Sequence, residues 1–206
     1  MSVDQLFLDR IAAAAEGAGL ADIRYASAAS PIGRLLVAST KDGVCRIAFA
    51  EESEDEVLGE LARRLSPRIV RSSELEKGTA AAIGAYVAGE LDHLDMPADL
   101  SLVRTSFGRS VLDKLMEVKR GNVTTYGALA ARIGNPRAVR ATGTALGRNF
   151  VPILVPCHRV LPSGGTVGNY GGGADRKRYL LELEGVPLPS TRRRITRALD
   201  SSKDAG

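Results

Sequence analysis

Three consecutive residues, Gly134-Asn135-Pro136, constrain the fold of this chain more than any other feature. Upstream, the run from Thr124 to Ile133 reads as a helix opened by a threonine cap, and Gly134 supplies the left-handed conformation that ends a helix. Asn135 can cap a second helix, and Pro136 suits its first position, where a missing N–H costs nothing. That helix is predicted to run to about Arg148, and two short helices joined by so tight a turn predict a helix-turn-helix. At roughly 100° per residue, Val139, Thr142 and Leu146 share one side of the second helix, while Arg137, Arg140, Thr144 and Arg148 share the other. The exposed face is therefore basic. Its small residues Ala138, Ala141, Gly143 and Gly147 leave room for a nucleic-acid backbone, although an ordinary helical hairpin with a solvated arginine face has the same pattern.

The second helix leads directly into Val-Pro-Ile-Leu-Val-Pro-Cys-His-Arg-Val, residues 151–160. Cys157, one of two cysteines, stands there beside one of two histidines. A free thiol has a pKa of about 8.5, so a nucleophilic cysteine needs a base and a cationic surrounding. His158 and Arg159 are the candidates for both. Pro152 and Pro156 restrict the backbone, and Ile153-Leu154-Val155 would anchor it in a core. The plainer alternative is a small buried cysteine with a hydrogen-bonded neighbour, since adjacent residues need not point at each other.

A chain of 206 residues with 44% hydrophobic content can bury a full core. No stretch approaches the roughly 20 apolar residues of a membrane span, and the N-terminus lacks a basic start and cleavage site. A soluble cytoplasmic protein without membrane association is expected. Metal binding is not, because only Cys45, His93, Cys157 and His158 offer soft ligands and none of them is suitably spaced. The net charge of +4 conceals a division: residues 1–100 carry 10 basic and 17 acidic side chains, residues 101–206 carry 18 and 7. Such a split suggests an acidic scaffold joined to a nucleic-acid-binding part. Arg192, Arg193, Arg194 and Arg197 contribute to it from a basic tail, 190–206, expected to be disordered.

The N-terminal half predicts a helix over 4–17, then strands over 23–29, 33–39 and 43–50 as an antiparallel meander, with helices Glu54–Leu65 and Glu74–Leu91 packed on it. A short strand near 100–104 marks a boundary, and a helix over 108–119 opens the C-terminal half. The chain is thus read as α+β: an N-terminal domain at 1–100, a mostly helical domain at 101–189 and the tail. Nothing in the first half suggests chemistry.

The combination of a basic helix and a nucleophile resembles the O6-alkylguanine-DNA alkyltransferases, also called methylated-DNA-protein-cysteine methyltransferases. Pro-Cys-His-Arg-Val at 156–160 is similar to that family's signature. The resemblance extends through Val123-Thr124-Thr125-Tyr126-Gly127, Asn135-Pro136-Arg137-Ala138-Val139-Arg140-Ala141, Asn149-Phe150-Val151-Pro152-Ile153, Gly168-Asn169-Tyr170-Gly171-Gly172-Gly173 and 177–185. It implies a ribonuclease-H-like N-terminal domain and a winged-helix-like C-terminal domain that enters the minor groove of double-stranded DNA.

Residue by residue, the resemblance implies that Cys157 accepts the alkyl group irreversibly, that His158 deprotonates it through a bridging water, and that Glu184 orients and charges the histidine. Tyr126 contacts the extruded base and can give a proton to the leaving oxygen, and Asn149 braces the site. Backbone groups at Cys157, Val160 and Gly171 read the guanine edge, and the pocket near Tyr170, Pro152 and Gly171 sets the range of alkyl groups. Arg140 corresponds to a finger that fills the gap left by the flipped nucleotide, with Thr125, Arg137, Ala138, Ala141 and Arg148 beside it on DNA. Flipping is needed because the alkylated oxygen lies in the base stack. Gly171 departs from the serine of some members, and the zinc site of some relatives is not expected here, because the N-terminal half contains only Cys45 and His93. The implied partner is duplex DNA containing O6-alkylguanine, with O4-alkylthymine left open, met by a monomer with no cofactor. Two rivals stay open: a lesion-sensing relative that binds without transfer, and a cysteine hydrolase using Cys157, His158 and Glu184.

Overall fold

The computed structural model describes residues 7, 10–12, 14, 15 and 17–188. The described positions up to 17 are helical, in line with the helix expected there, while the rest of that helix and the basic tail lie outside the described residues. Strands β1 (Ile23–Ala28), β2 (Leu35–Thr40) and β3 (Gly43–Ala48) form the expected antiparallel meander. A fourth strand, β4 (Ile69–Arg71), lies parallel to β1, so the sheet is mixed, in the order β3-β2-β1-β4. At three residues this strand is too short to show alternation.

Both faces of the sheet are covered. On β2, Leu36 and Ala38 pack with Val57 and Leu61 of α1 (Glu54–Arg64). Leu35 and Val37 face a second core that includes Ile83 and Val87 of α2 (Ala81–Ala88) together with Val111, Leu129, Val155 and Leu180 from the C-terminal half. The two halves therefore share one hydrophobic core.

The helix expected at 74–91 has a π-helical turn at Glu76–Ala80 and stops early, because Gly89 takes a left-handed φ of 81°. The strand expected near 100–104 is instead a turn, with Val103 N–H donating to the Leu100 carbonyl. Helix α3 (Ser106–Met116) begins at a Thr105 cap, its hydroxyl accepting from Gly108 N–H.

The helix-turn-helix is present with one correction. Helix α4 (Tyr126–Arg132) is capped by the Thr125 hydroxyl, and Gly134 has a φ of 76°. Asn135 does not cap the next helix: its carbonyl accepts from Ala138 N–H, closing a turn over 135–138. Helix α5 therefore runs only from Val139 to Leu146, and Arg148 lies beyond its end. The later start leaves Val139 42% exposed, while Thr142, Ala145 and Leu146 are buried.

Two short parallel strands, β5 (Thr124–Thr125) and β6 (Val160–Leu161), tie the entry of α4 to the exit of the cysteine segment. Tyr126 is thereby carried beside Cys157. Helix α6 (Ala174–Leu183) closes the described fold. Among the described residues no helix is long and apolar enough to cross a membrane.

Candidate active site

Cys157 opens a 3₁₀ turn, Cys157–Arg159, that directs successive side chains to different neighbours. The preceding backbone is held tightly, with Ile153 buried at a positive φ of 75° and Val155 N–H donating to the Val151 carbonyl. A β-branched residue in that region is strained and persists only where its surroundings dictate it. The half-buried thiol faces a cavity of about 410 Å³ lined also by Asn149, Pro152, Tyr170 and Gly171. A larger cavity of about 520 Å³, beside α5 and Phe107, has no cysteine or histidine in its wall.

Asn149 hydrogen-bonds the sulfur. Its Nδ2 donates to Cys157 Sγ at 3.0 Å and to the Val155 carbonyl at 2.8 Å, and its Oδ1 accepts from Val151 N–H. Burial pushes the thiol pKa up, while the Asn149 donor and the Lys177 charge pull it back. Tyr170 Oη, buried without a well-formed hydrogen bond to protein, is near enough to the sulfur to favour its anion weakly.

His158 is fully buried. Its Nε2 lies 2.8 Å from Glu184 Oε1, and its Nδ1 has no protein hydrogen-bond partner. Burial alone would raise the Glu184 pKa, but hydrogen bonds from His158, Arg159 and Tyr86 hold it well below the usual carboxylate range. An ionised carboxylate only accepts, so Nε2 must carry the proton on this contact. Burial outweighs the pull of Glu184 and lowers the His158 pKa, which leaves a neutral imidazole with a lone pair on Nδ1.

Arg159 does not serve the thiol. Its Nε donates to Glu184 Oε2 at 2.8 Å and its Nη2 to Oε1 at 2.9 Å, because the turn sends it inward beneath the histidine. The cation near the sulfur is Lys177, completely buried, whose Nζ donates to the Val160 carbonyl at 2.7 Å. Burial lowers its pKa to about 8, against the opposing effect of Cys157. Sequence reading missed this lysine, yet a clue was present: Lys177, Leu180, Leu181 and Glu184 repeat at i, i+3, i+4 and i+7, placing two charges on a buried stripe.

The remaining expected residues separate into two groups. Tyr126 is half-buried, its pKa raised by burial and by Cys157, and Val160 is fully buried beside the site. Arg137, Arg140, Ala141 and Arg148 are exposed, Ala138 is half-buried, and the Thr125 hydroxyl is occupied as a helix cap. Gly171 has open space where a side chain would begin, whereas Gly172 is pressed against Phe49 and Tyr170. Arg176 ties this glycine loop to the N-terminal half, donating to the Gly172 and Ile32 carbonyls and pairing with Glu51. Contrary to expectation, the first half also reaches this cluster, because Tyr86 Oη lies 2.6 Å from Glu184 Oε1.

Residues 23–100 match the family model for the 6-O-methylguanine DNA methyltransferase ribonuclease-like domain, and 106–186 the model for that family's DNA-binding domain. A methylated-DNA–protein-cysteine methyltransferase of Methanosarcina acetivorans is 37% identical over 161 residues, 78% of this chain and 97% of the relative. The crystal structure of Mycobacterium tuberculosis O6-methylguanine methyltransferase superposes with a TM-score of 0.66 at 34% identity, covering 79% of this chain and 92% of that one. Mycobacterium tuberculosis OGT in complex with DNA gives 0.66 at 35% identity, over 78% and 92% of the two chains.

Proposed function

The chain belongs to the 6-O-methylguanine DNA methyltransferase family, and from that membership we propose that it repairs duplex DNA by moving an alkyl group from O6 of guanine irreversibly onto Cys157. One observation carries the assignment to these residues: a thiol that accepts a hydrogen bond from Asn149 stands next in sequence to a buried histidine whose Nδ1 is unengaged and whose Nε2 is fixed by Glu184.

The geometry supports the following chemistry. His158 Nδ1 takes the thiol proton through a bridging water, and Asn149 and Lys177 support the resulting thiolate. The sulfur attacks the alkyl carbon in line, an S–C bond forms as the C–O6 bond breaks, and Tyr126 protonates the departing oxygen. The thioether cannot be hydrolysed back, so each molecule acts once. Burial of Cys157 requires the base to be flipped from the stack. Arg140 at the exposed edge of α5 fills the gap, and Arg137 and Arg148 meet phosphates. We assign the acceptor pocket and DNA-binding helix to a domain at 101–189, packed on a domain at 1–100, acting as a monomer.

The test is intact-protein mass after mixing with a duplex carrying one O6-methylguanine. One methyl on Cys157, with repair that stops at stoichiometry, supports the reading. Tight binding without a mass change would identify a lesion sensor, and turnover on small esters or amides a hydrolase.

A further inference from the structure

Three donors converge on one carboxylate oxygen. Glu184 Oε1 lies 2.8 Å from His158 Nε2, 2.9 Å from Arg159 Nη2 and 2.6 Å from Tyr86 Oη. His158 and Arg159 belong to the cysteine segment, whereas Tyr86 comes from α2 of the N-terminal half, 98 residues before Glu184. We propose that Tyr86 is a positioning residue for alkyl transfer: its hydroxyl fixes Glu184 Oε1, so that His158 keeps its proton on Nε2 and Nδ1 stays free as the base. The proposal rests on the alkyl-transfer reading and adds to it a dependence of the acceptor site on the N-terminal half.

The contact is built for this task. Tyr86 is 3% exposed, and its oxygen also lies 3.2 Å from Arg159 Nη2, so the guanidinium and the phenol brace the same carboxylate oxygen. The Arg120 guanidinium stands 5.5 Å from the centre of the Tyr86 ring and donates to the Leu183 carbonyl next to Glu184, which locks α2 to the end of α6. Burial, followed by the Glu184 carboxylate, raises the phenol pKa to about 12, so the hydroxyl keeps the proton it donates. A core tyrosine needed only for its ring would not require a carboxylate partner.

The sign of the effect follows from electrostatics. A hydrogen bond to the anion makes Glu184 less basic toward the imidazole. Removing the phenol leaves more negative charge to stabilise a protonated His158, so its pKa rises and the base is lost at higher pH. Among the described residues, the titratable and charged groups around this pair and Tyr86 are Arg159 on the same segment, Lys177 on α6, Tyr170 on the glycine loop, Arg120 with its partner Asp92 behind Tyr86, and His93 and Lys119 on the wall of the cavity that Tyr86 and Arg159 share. Each remains in place when only the hydroxyl is removed.

The experiment is single-turnover methyl transfer from an O6-methylguanine duplex to the full chain between pH 5 and 8. Tyr86→Phe should move the acid limb up by about one pH unit, so transfer at the foot of the limb slows roughly tenfold while the plateau changes less. A second variant carries 3-fluorotyrosine at position 86, a stronger donor that keeps the ring, and should move the limb downward. Opposite shifts in the two proteins establish the role. If the phenylalanine variant does not fold, the fluorotyrosine protein decides alone, and an unmoved limb in any folded variant overturns the proposal. Failure of the unsubstituted protein to methylate Cys157 at any pH would instead refute the alkyl-transfer reading itself.

Discussion

Lys177 shows what a single residue contributes and what a sequence conceals. Cys157 and His158 were legible because a rare thiol beside a rare histidine has few uses, but the direction of each side chain was not. Adjacency suggested Arg159 as the cation for the sulfur, and the 3₁₀ turn instead sends it to Glu184. Lys177, 20 positions on in the sequence, acts on the thiol in its place. Replacing it with methionine keeps the length and apolar stem but removes the charge. The expected outcome is a thiol pKa higher by about one unit and alkyl transfer at pH 7 slower by roughly tenfold. Titrating Cys157 reactivity with a small alkylating agent checks this, and an unchanged thiol pKa would make the lysine purely structural. Asn149→Ala should act in the same direction by removing the donor at 3.0 Å.

At the scale of elements, the helix-turn-helix was readable from its punctuation and its register was not. Thr125 and Gly134 do what their residue types suggest, capping and terminating α4. Asn135 and Pro136 were expected to start α5, but proline at the second place of a turn suits a closed loop equally well, and the Ala138 to Asn135 hydrogen bond decides for the turn. Loss of the cap in Thr125→Val should cost about 1 kcal/mol, read from urea unfolding, and should also loosen Tyr126 at the first turn of α4. Arg140 is exposed one residue into α5. Arg140→Ala should slow transfer from duplex DNA far more than from the free alkylated base, and equal slowing on both would remove its assignment as the finger. If the arginines of this face meet phosphates, raising salt should weaken duplex binding steeply, and Arg148→Ala should lower the salt dependence by about one ion.

Across the whole molecule, the division of charge between the halves was plain in the sequence, but their union was not. A residue such as Tyr86 at helical spacing reads as core, and nothing local shows that its hydroxyl ends on a carboxylate from the other half. Glu184 is the point where this union meets pH. Its carboxyl is buried and holds partners from both halves, and its folded pKa lies well below the roughly 4.3 of an unfolded chain. A depressed carboxylate pKa stabilises the fold above the unfolded value, and that stabilisation is lost as pH falls toward and through the folded one. Burial lowers the His158 pKa below its ordinary 6.5, so the unfolded chain also binds a proton more readily there, and stability begins to fall below about pH 6.5 for that reason. Glu184→Gln leaves Arg159 buried without its anion and should cost about 3–5 kcal/mol at pH 7. The difference from the unsubstituted protein should hold between pH 5 and 7 and narrow below about pH 4, where the carboxyl of the unfolded chain takes up a proton while the native one is still ionised. Urea unfolding at pH 3, 5 and 7 measures it, and a gap that does not depend on pH would mean that packing, rather than the charge on Glu184, joins the halves.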